Sequence, residues 1–123
     1  MITGRMTRHR EPRIRFSIHA PDGEPREIEG IVDTGFNGSL TLPKDLVHEL
    51  RLPWRTRSGF RLANGAKDYF DIHAADISWD GSVRRILVEA TGITPLVGMT
   101  LFEGYELNMQ ITDGGLVRLT MIS

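Results

Sequence analysis

The sequence predicts a mostly β single domain of short antiparallel strands with one main helix, and three observations carry that prediction. Turn signals recur along the chain at Pro21-Asp22-Gly23, Asn64-Gly65, Asp80-Gly81 and Asp113-Gly114-Gly115. Asn-Gly and Asp-Gly supply the positive φ angles of tight hairpins, so each signal marks a hairpin tip. The segments beside these turns alternate apolar and polar residues, and only the stretch from Pro43 to Leu50 has helical spacing.

In chain order, the basic fringe before Arg13 (Arg5, Arg8, Arg10) is expected as an arm or an edge strand over residues 1–12. Ile14, Phe16 and Ile18 sit two apart and define a strand entering the first turn; Ile28 to Val32 forms an apolar strand after it. Leu40-Thr41-Leu42 is a further short strand. Pro43 suits the first turn of a helix whose apolar face is Leu46, Val47 and Leu50. Residues 59–71 form a hairpin around Asn64-Gly65, and Trp54 and Trp79 are expected at sheet surfaces or under that hairpin. Met99 to Phe102 reads as one helical turn ended by Gly104. Leu107, Met109 and Ile111, then Val117, Leu119 and Met121, alternate on either side of the last turn.

The 123 residues suffice for one core, and neither an internal repeat nor a linker divides them. A net charge of −1 exerts no global pull on nucleic acid or anionic lipid, so nucleic acid is not among the expected partners. No apolar run reaches membrane-spanning length, and Met1 to Arg5 does not open a signal peptide. The absence of cysteine excludes disulfides and thiol catalysis and suits a reducing cytoplasm, the expected location. His9, His19, His48 and His73 lack metal-ligand spacing, so no metal or other cofactor is expected. The arginines from Arg5 to Arg15 and from Arg51 to Arg61 are read as solvated faces balanced by acids.

Chemistry concentrates at Asp33-Thr34-Gly35, just past the apolar run ending Ile31-Val32. A carboxylate on a tight turn at the end of a buried strand can serve as an acid or a base; the same aspartate can also simply cap turn amides. The context is more specific than the tripeptide. The stretch from Ile31 to Pro43 (IVDTGFNGSLTLP), followed in order by Pro95 to Leu101 (PLVGMTL), resembles the two signatures of retropepsin-like aspartic proteases of clan AA, and most closely small bacterial proteins with an Asp-Thr-Gly-Phe motif.

That resemblance, running from about Ile14 to Ile122, implies an acid-protease half-barrel closed by homodimerisation. It implies that Asp33 is the catalytic carboxylate, that Thr34 grips the partner subunit's loop, and that Gly35 lets a substrate backbone pass close. It places the flap at Leu62, Ala63, Asn64, Gly65 and Ala66, and substrate contacts at Phe36, Asn37, Leu96 and Val97. Phe36 stands where a small residue is usual, Asn37 where an aspartate is common, and Met99-Thr100 where an arginine-containing pair braces the loop.

One such motif is half of what the chemistry needs. Metal-free peptide hydrolysis by carboxylates takes two of them about 3 Å apart sharing one proton, so that one acts as base and the other as acid. A two-fold axis would supply the second Asp33. The expected partners are therefore a second copy of the chain and a peptide or protein substrate, with the terminal segments Ile2 to Met6 and Leu116 to Ile122 as candidate dimer strands. The rival expectation is a peptide-binding or dimerisation module that keeps the fold and cleaves nothing. A nucleic-acid-associated β-barrel is a third.

Overall fold

A computed structural model describes residues 1–123. Its strands are β1 (Ile2–Met6), β2 (Pro12–His19), β3 (Pro25–Val32), β4 (Leu40–Leu42), β5 (Trp54–Arg61), β6 (Lys67–Trp79), β7 (Ser82–Ala90), β8 (Leu96–Val97), β9 (Tyr105–Met109) and β10 (Leu116–Met121). Two helices interrupt them, α1 (Lys44–Glu49) and α2 (Met99–Phe102). All four turn signals form as read: Gly23, Gly65, Asp80, Gly81 and Gly114 have positive φ, the region open to glycine and tolerated by aspartate. Pro43 lies one position earlier than expected, as the N-cap of α1, and Ile111 falls outside β9.

The strand order is β5-β6-β7-β4-β8-β3-β2-β1-β10-β9, and a further pairing joins β6 to β2. That pairing, Ser17 opposite Ser78 through His19 opposite Asp76, closes β6, β7, β4, β8, β3 and β2 into a ring within one chain. The length of β6, 13 residues, allows it to serve both β5 and β2. Inside the ring lie Ile14, Phe16, Ile18, Leu40, Val88, Val97 and Trp79, all buried. Trp79 is therefore a core residue and not a sheet-surface one. Its ring meets Phe16 edge-on at 6.1 Å, Phe102 at 6.5 Å and Tyr105 at 6.4 Å. Trp54 is 59% exposed, and its Nε1 donates to Asp71 at 3.1 Å.

The terminal strands differ from expectation. β1 pairs with both β10 and β2, and β10 pairs with both β1 and β9. β1 is paired on both sides at Gly4 and Arg5, and β10 on both sides from Val117 to Leu119, so only Ile2, Thr3, Thr120 and Met121 keep one side unpaired, and the N-terminal fringe is an interior strand and not an arm. The open edges belong to β9 and β5. A long-range pairing that satisfies both ladders of a strand cannot be read from that strand's own residues.

Arginine–carboxylate pairs stud the outer surface: Arg15 with Glu29 at 2.9 Å, Arg13 with Glu29 at 3.2 Å, and Arg85 with Asp76 at 3.0 Å. Arg15 above all holds the Glu29 carboxyl below its ordinary 4.5, and Arg85 holds Asp76 below its ordinary 3.8. Because both folded values are depressed, the stability they add is complete above the ordinary carboxylate range and is lost as pH falls through the depressed values. The melting temperature is accordingly expected to fall on acidification below about pH 4, by less in high salt, since these pairs are largely exposed. Scanning calorimetry from pH 7 to pH 2.5 measures this; a melting temperature that rises over the acid limb would contradict it.

Candidate active site

Asp33 sits where β3 ends. β8 lies between β3 and β4, parallel to the first and antiparallel to the second. The chain must therefore leave β3, turn through Asp33 to Ser39 and re-enter as β4 on the far side of β8. The Asp33 amide continues the β3–β8 ladder by donating to the Val97 carbonyl at 2.9 Å. Its side chain then begins the turn, Oδ1 accepting the Gly35 amide at 2.9 Å. That bond is the turn-capping role open to any such aspartate. Here it also fixes the carboxylate in place at a half-buried position, with Thr34 and Gly35 exposed beside it.

The turn rests on the start of α2. The amides of Met99 and Thr100 donate to the carbonyls of Phe36 (2.8 Å) and Gly38 (3.1 Å), and the Thr100 hydroxyl donates to the Asn37 carbonyl at 2.6 Å. The Gly98 amide donates to Ser39 at 2.9 Å. Met99-Thr100 thus braces the loop with hydrogen bonds where the resemblance led to an arginine pair. The half-buried Phe36 ring packs against Gly38 and Gly98, which have no side chain to obstruct it. Val97 is wholly buried beneath the turn, while Leu96 is half-buried.

Cross-strand register defines the surface around Asp33. Val32, Val97, Leu40, Val88 and His73 lie opposite one another across five strands, and all are buried on the core face. The neighbouring row, Ile31, Leu96, Thr41, Glu89 and Ile72, must point the other way, because side chains alternate along strands and paired residues share a face. Asp33, next after Val32, belongs to that second face. Thr41 is held there by its Oγ1, which accepts the Leu96 amide at 3.1 Å.

Asp33, Thr34, Gly35, Phe36, Asn37, Leu96 and Val97 are thus brought together around one turn. Leu62, Ala63, Asn64, Gly65 and Ala66 are not among them; they form the exposed tip of the β5–β6 hairpin, with β7, β4 and β8 between β6 and β3. β7 ends at Ala90 opposite Asp71, so β6 before that point pairs with β5 alone and the hairpin projects as a two-stranded arm. Phe60 and Phe70 meet across the arm at 5.6 Å. The tip is closed by the Leu62 amide donating to the Ala66 carbonyl at 2.7 Å.

The face also carries Ile31 and Thr41, which lie within the first motif without a role assigned to them, and Ile72 and Glu89, which lie outside both motifs. The visible sign of Glu89 is an acid at the end of the apolar run Ile86-Leu87-Val88. The largest hollow of the single chain, about 740 Å³, lies between the β2–β3 turn and the end of α1 and includes no residue of the Asp33 turn.

No family model matches the chain. Among curated proteins it is similar to inositol-3-phosphate synthase 1 of Rattus norvegicus, 28% identical over 108 residues, covering 85% of this chain. The chain spans 19% of that protein's length. Among solved structures it is similar to a retropepsin-like aspartic protease from Rickettsia conorii, with a TM-score of 0.62 and 16% identity over 98% of this chain and 91% of that one. It is also similar to the EIAV protease complexed with the inhibitor HBY-793, with a TM-score of 0.52 and 18% identity over 76% of this chain and 86% of that one. At these identities the likeness is one of fold, and the fold is retropepsin-like.

Proposed function

We propose that this chain is one half of a homodimeric aspartic endopeptidase. The observation that carries the proposal is the Asp33 carboxylate, held by the Gly35 amide on an exposed turn that β8 and α2 brace from beneath. The fold is that of aspartic proteases, and the chain has a single Asp-Thr-Gly. A second copy across a two-fold axis would bring the other Asp33 to it, with Thr34 of each turn exposed for the contact.

The chemistry then follows from like charges at close range. Two carboxyls about 3 Å apart cannot both ionise and so hold one proton between them. The ionised member takes a proton from a water while the water oxygen attacks the peptide carbonyl carbon, and the protonated member gives its proton to the carbonyl oxygen. Collapse of the tetrahedral diol breaks the C–N bond: the carboxyl that took the water proton passes it to the leaving nitrogen, and the other carboxylate recovers a proton from a diol hydroxyl as the new acid forms. The substrate would lie extended, its backbone paired under the β5–β6 arms.

Purified protein incubated with denatured casein or a peptide library, with products identified by mass spectrometry, tests this. Internal cleavage with a bell-shaped rate–pH profile is expected, since one carboxyl must be charged and one neutral, and the two limbs belong to the pair. Binding of peptides without cleavage at any pH would replace the protease with a peptide-binding module.

A further inference from the structure

Glu89 is the one acidic member of the five-residue row beside the catalytic turn, between Thr41 and Ile72. Its position is made possible by Gly38: a methyl group on that Cα would lie 2.7 Å from Glu89 Oε2. The carboxylate therefore reaches back over the catalytic loop. Its row neighbours are Thr41 and Ile72, with Leu96 one strand beyond Thr41 and Phe70 two residues before Ile72 on the same face of β6, and the Phe36 ring would meet a methyl at the same Gly38 position at 2.6 Å. Burial pushes the Glu89 carboxyl up, with no cation beside it to draw it back down.

Asp33 shares this face and accepts the Gly35 amide, and the other charged groups on its strands pair with one another or lie farther out. Arg13 and Arg15 pair with Glu29, and Arg85 pairs with Asp76. Asp68 lies farther out on the arm, where its Oδ1 accepts the Tyr69 amide at 2.8 Å. Arg57, Arg61 and Lys67 share register with Asp71 and with each other, which puts them on the opposite face of the arm from Phe70 and Ile72. Glu89 is left as a half-buried carboxyl with no hydrogen-bond or ion-pair partner in its own chain, placed so that a cation arriving from outside can pair with it.

We propose that Glu89 is a specificity-determining residue that receives a lysine or arginine side chain of the peptide substrate, which deepens and rests on the protease reading above. The aliphatic stem of such a side chain fits against Leu96, Ile72 and Phe70 while its cationic head meets the carboxylate. Three strand spacings of about 4.8 Å separate β7 from β3, roughly four residues of extended peptide, so the basic residue falls within that distance of the scissile bond. In a two-fold site the same carboxylate recurs on the other side, and basic residues are selected on both.

The test compares matched peptides that differ only in Lys, Met or Glu at each position near the bond, using wild type, Glu89→Gln and Glu89→Lys. Wild type is expected to favour Lys at one position by about tenfold or more in kcat/KM. In Glu89→Gln that ratio falls toward one, and in Glu89→Lys it inverts in favour of Glu peptides. Cleavage with no such ratio, or a ratio unchanged in Glu89→Gln, overturns the assignment and leaves proteolysis standing. If nothing is cleaved, proteolysis falls, and calorimetric binding of the same peptides decides: tighter binding of the Lys peptide in wild type only supports the assignment, and equal binding overturns it. Thermal stability is a further readout. Because its folded pKa is raised, Glu89 favours the fold below its ordinary value and ceases to as pH rises through the folded one. Glu89→Gln is therefore expected to melt no lower than wild type at pH 7, and a lower melting point would overturn the assignment by revealing a partner within the chain.

Discussion

Asp33→Asn is expected to lower the rate of peptide hydrolysis by about 10²- to 10⁴-fold while the folded structure persists. The amide cannot hold the shared proton or take one from water, and in a homodimer the replacement removes both members of the pair at once. The turn itself survives, because the asparagine oxygen still accepts the Gly35 amide that Asp33 Oδ1 accepts at 2.9 Å. Circular dichroism and the melting temperature near neutral pH should match wild type. Activity retained in this variant, with contaminating proteases excluded by mass-spectrometric purity, would contradict the assignment of Asp33.

Gly98→Val is expected to damage both stability and activity, for a steric reason and not a conformational one. Gly98 has an extended backbone, φ −110° and ψ 176°, that any residue adopts. A Cβ there, however, would lie 2.5 Å from Phe36 Cδ2 and 2.8 Å from the Phe36 carbonyl oxygen, and would press on the Gly38 carbonyl. Those carbonyls accept the Met99 and Thr100 amides, so they cannot retreat without releasing the brace under Asp33. Overpacking of this kind costs about 1–3 kcal/mol. Activity should fall further than stability, since the displaced atoms carry the turn that holds Asp33. Gly23→Ala is the contrast: Gly23 has φ +89° on the β2–β3 turn with open space around it, so melting temperature drops and activity per folded molecule holds. Thermal denaturation beside initial-rate assays at matched folded fraction separates the two effects; equal activity per folded molecule in Gly98→Val would remove the loop brace from the account.

What the sequence made legible follows the range of the interactions. Asn64-Gly65 and Asp80-Gly81 announce their hairpins because the φ angles demanded there admit few residues. Pro95 to Gly98 announces a segment packed close to the Asp33 turn, but Met99-Thr100 signalled only a missing arginine pair, and the amide bonds by which those two residues brace the turn appear only in the fold. Long-range pairing was not legible. Trp79 looks like any aromatic strand end until the β6–β2 pairing folds it inward, and β1 looks like a free arm until β10 and β2 take both its ladders. Glu89 looks like a solvated strand acid; only the register linking Glu89 to Thr41, Leu96 and Ile31 sets it on the face of Asp33. The candidate site was therefore visible as a turn, and its floor was visible only in the sheet.

The central claim is that two copies contribute one Asp33 each to a single site. Its most direct measurement is the peptidase rate of a fixed amount of wild type mixed with increasing Asp33→Asn, with the oligomeric state followed by sedimentation. Exchange into mixed dimers should lower the rate as the square of the wild-type fraction divided by that fraction, so that an equal mixture retains about half the activity per wild-type chain. A rate that stays proportional to wild-type chain at every mixing ratio, with exchange demonstrated, would show that each chain works alone and would contradict the shared site.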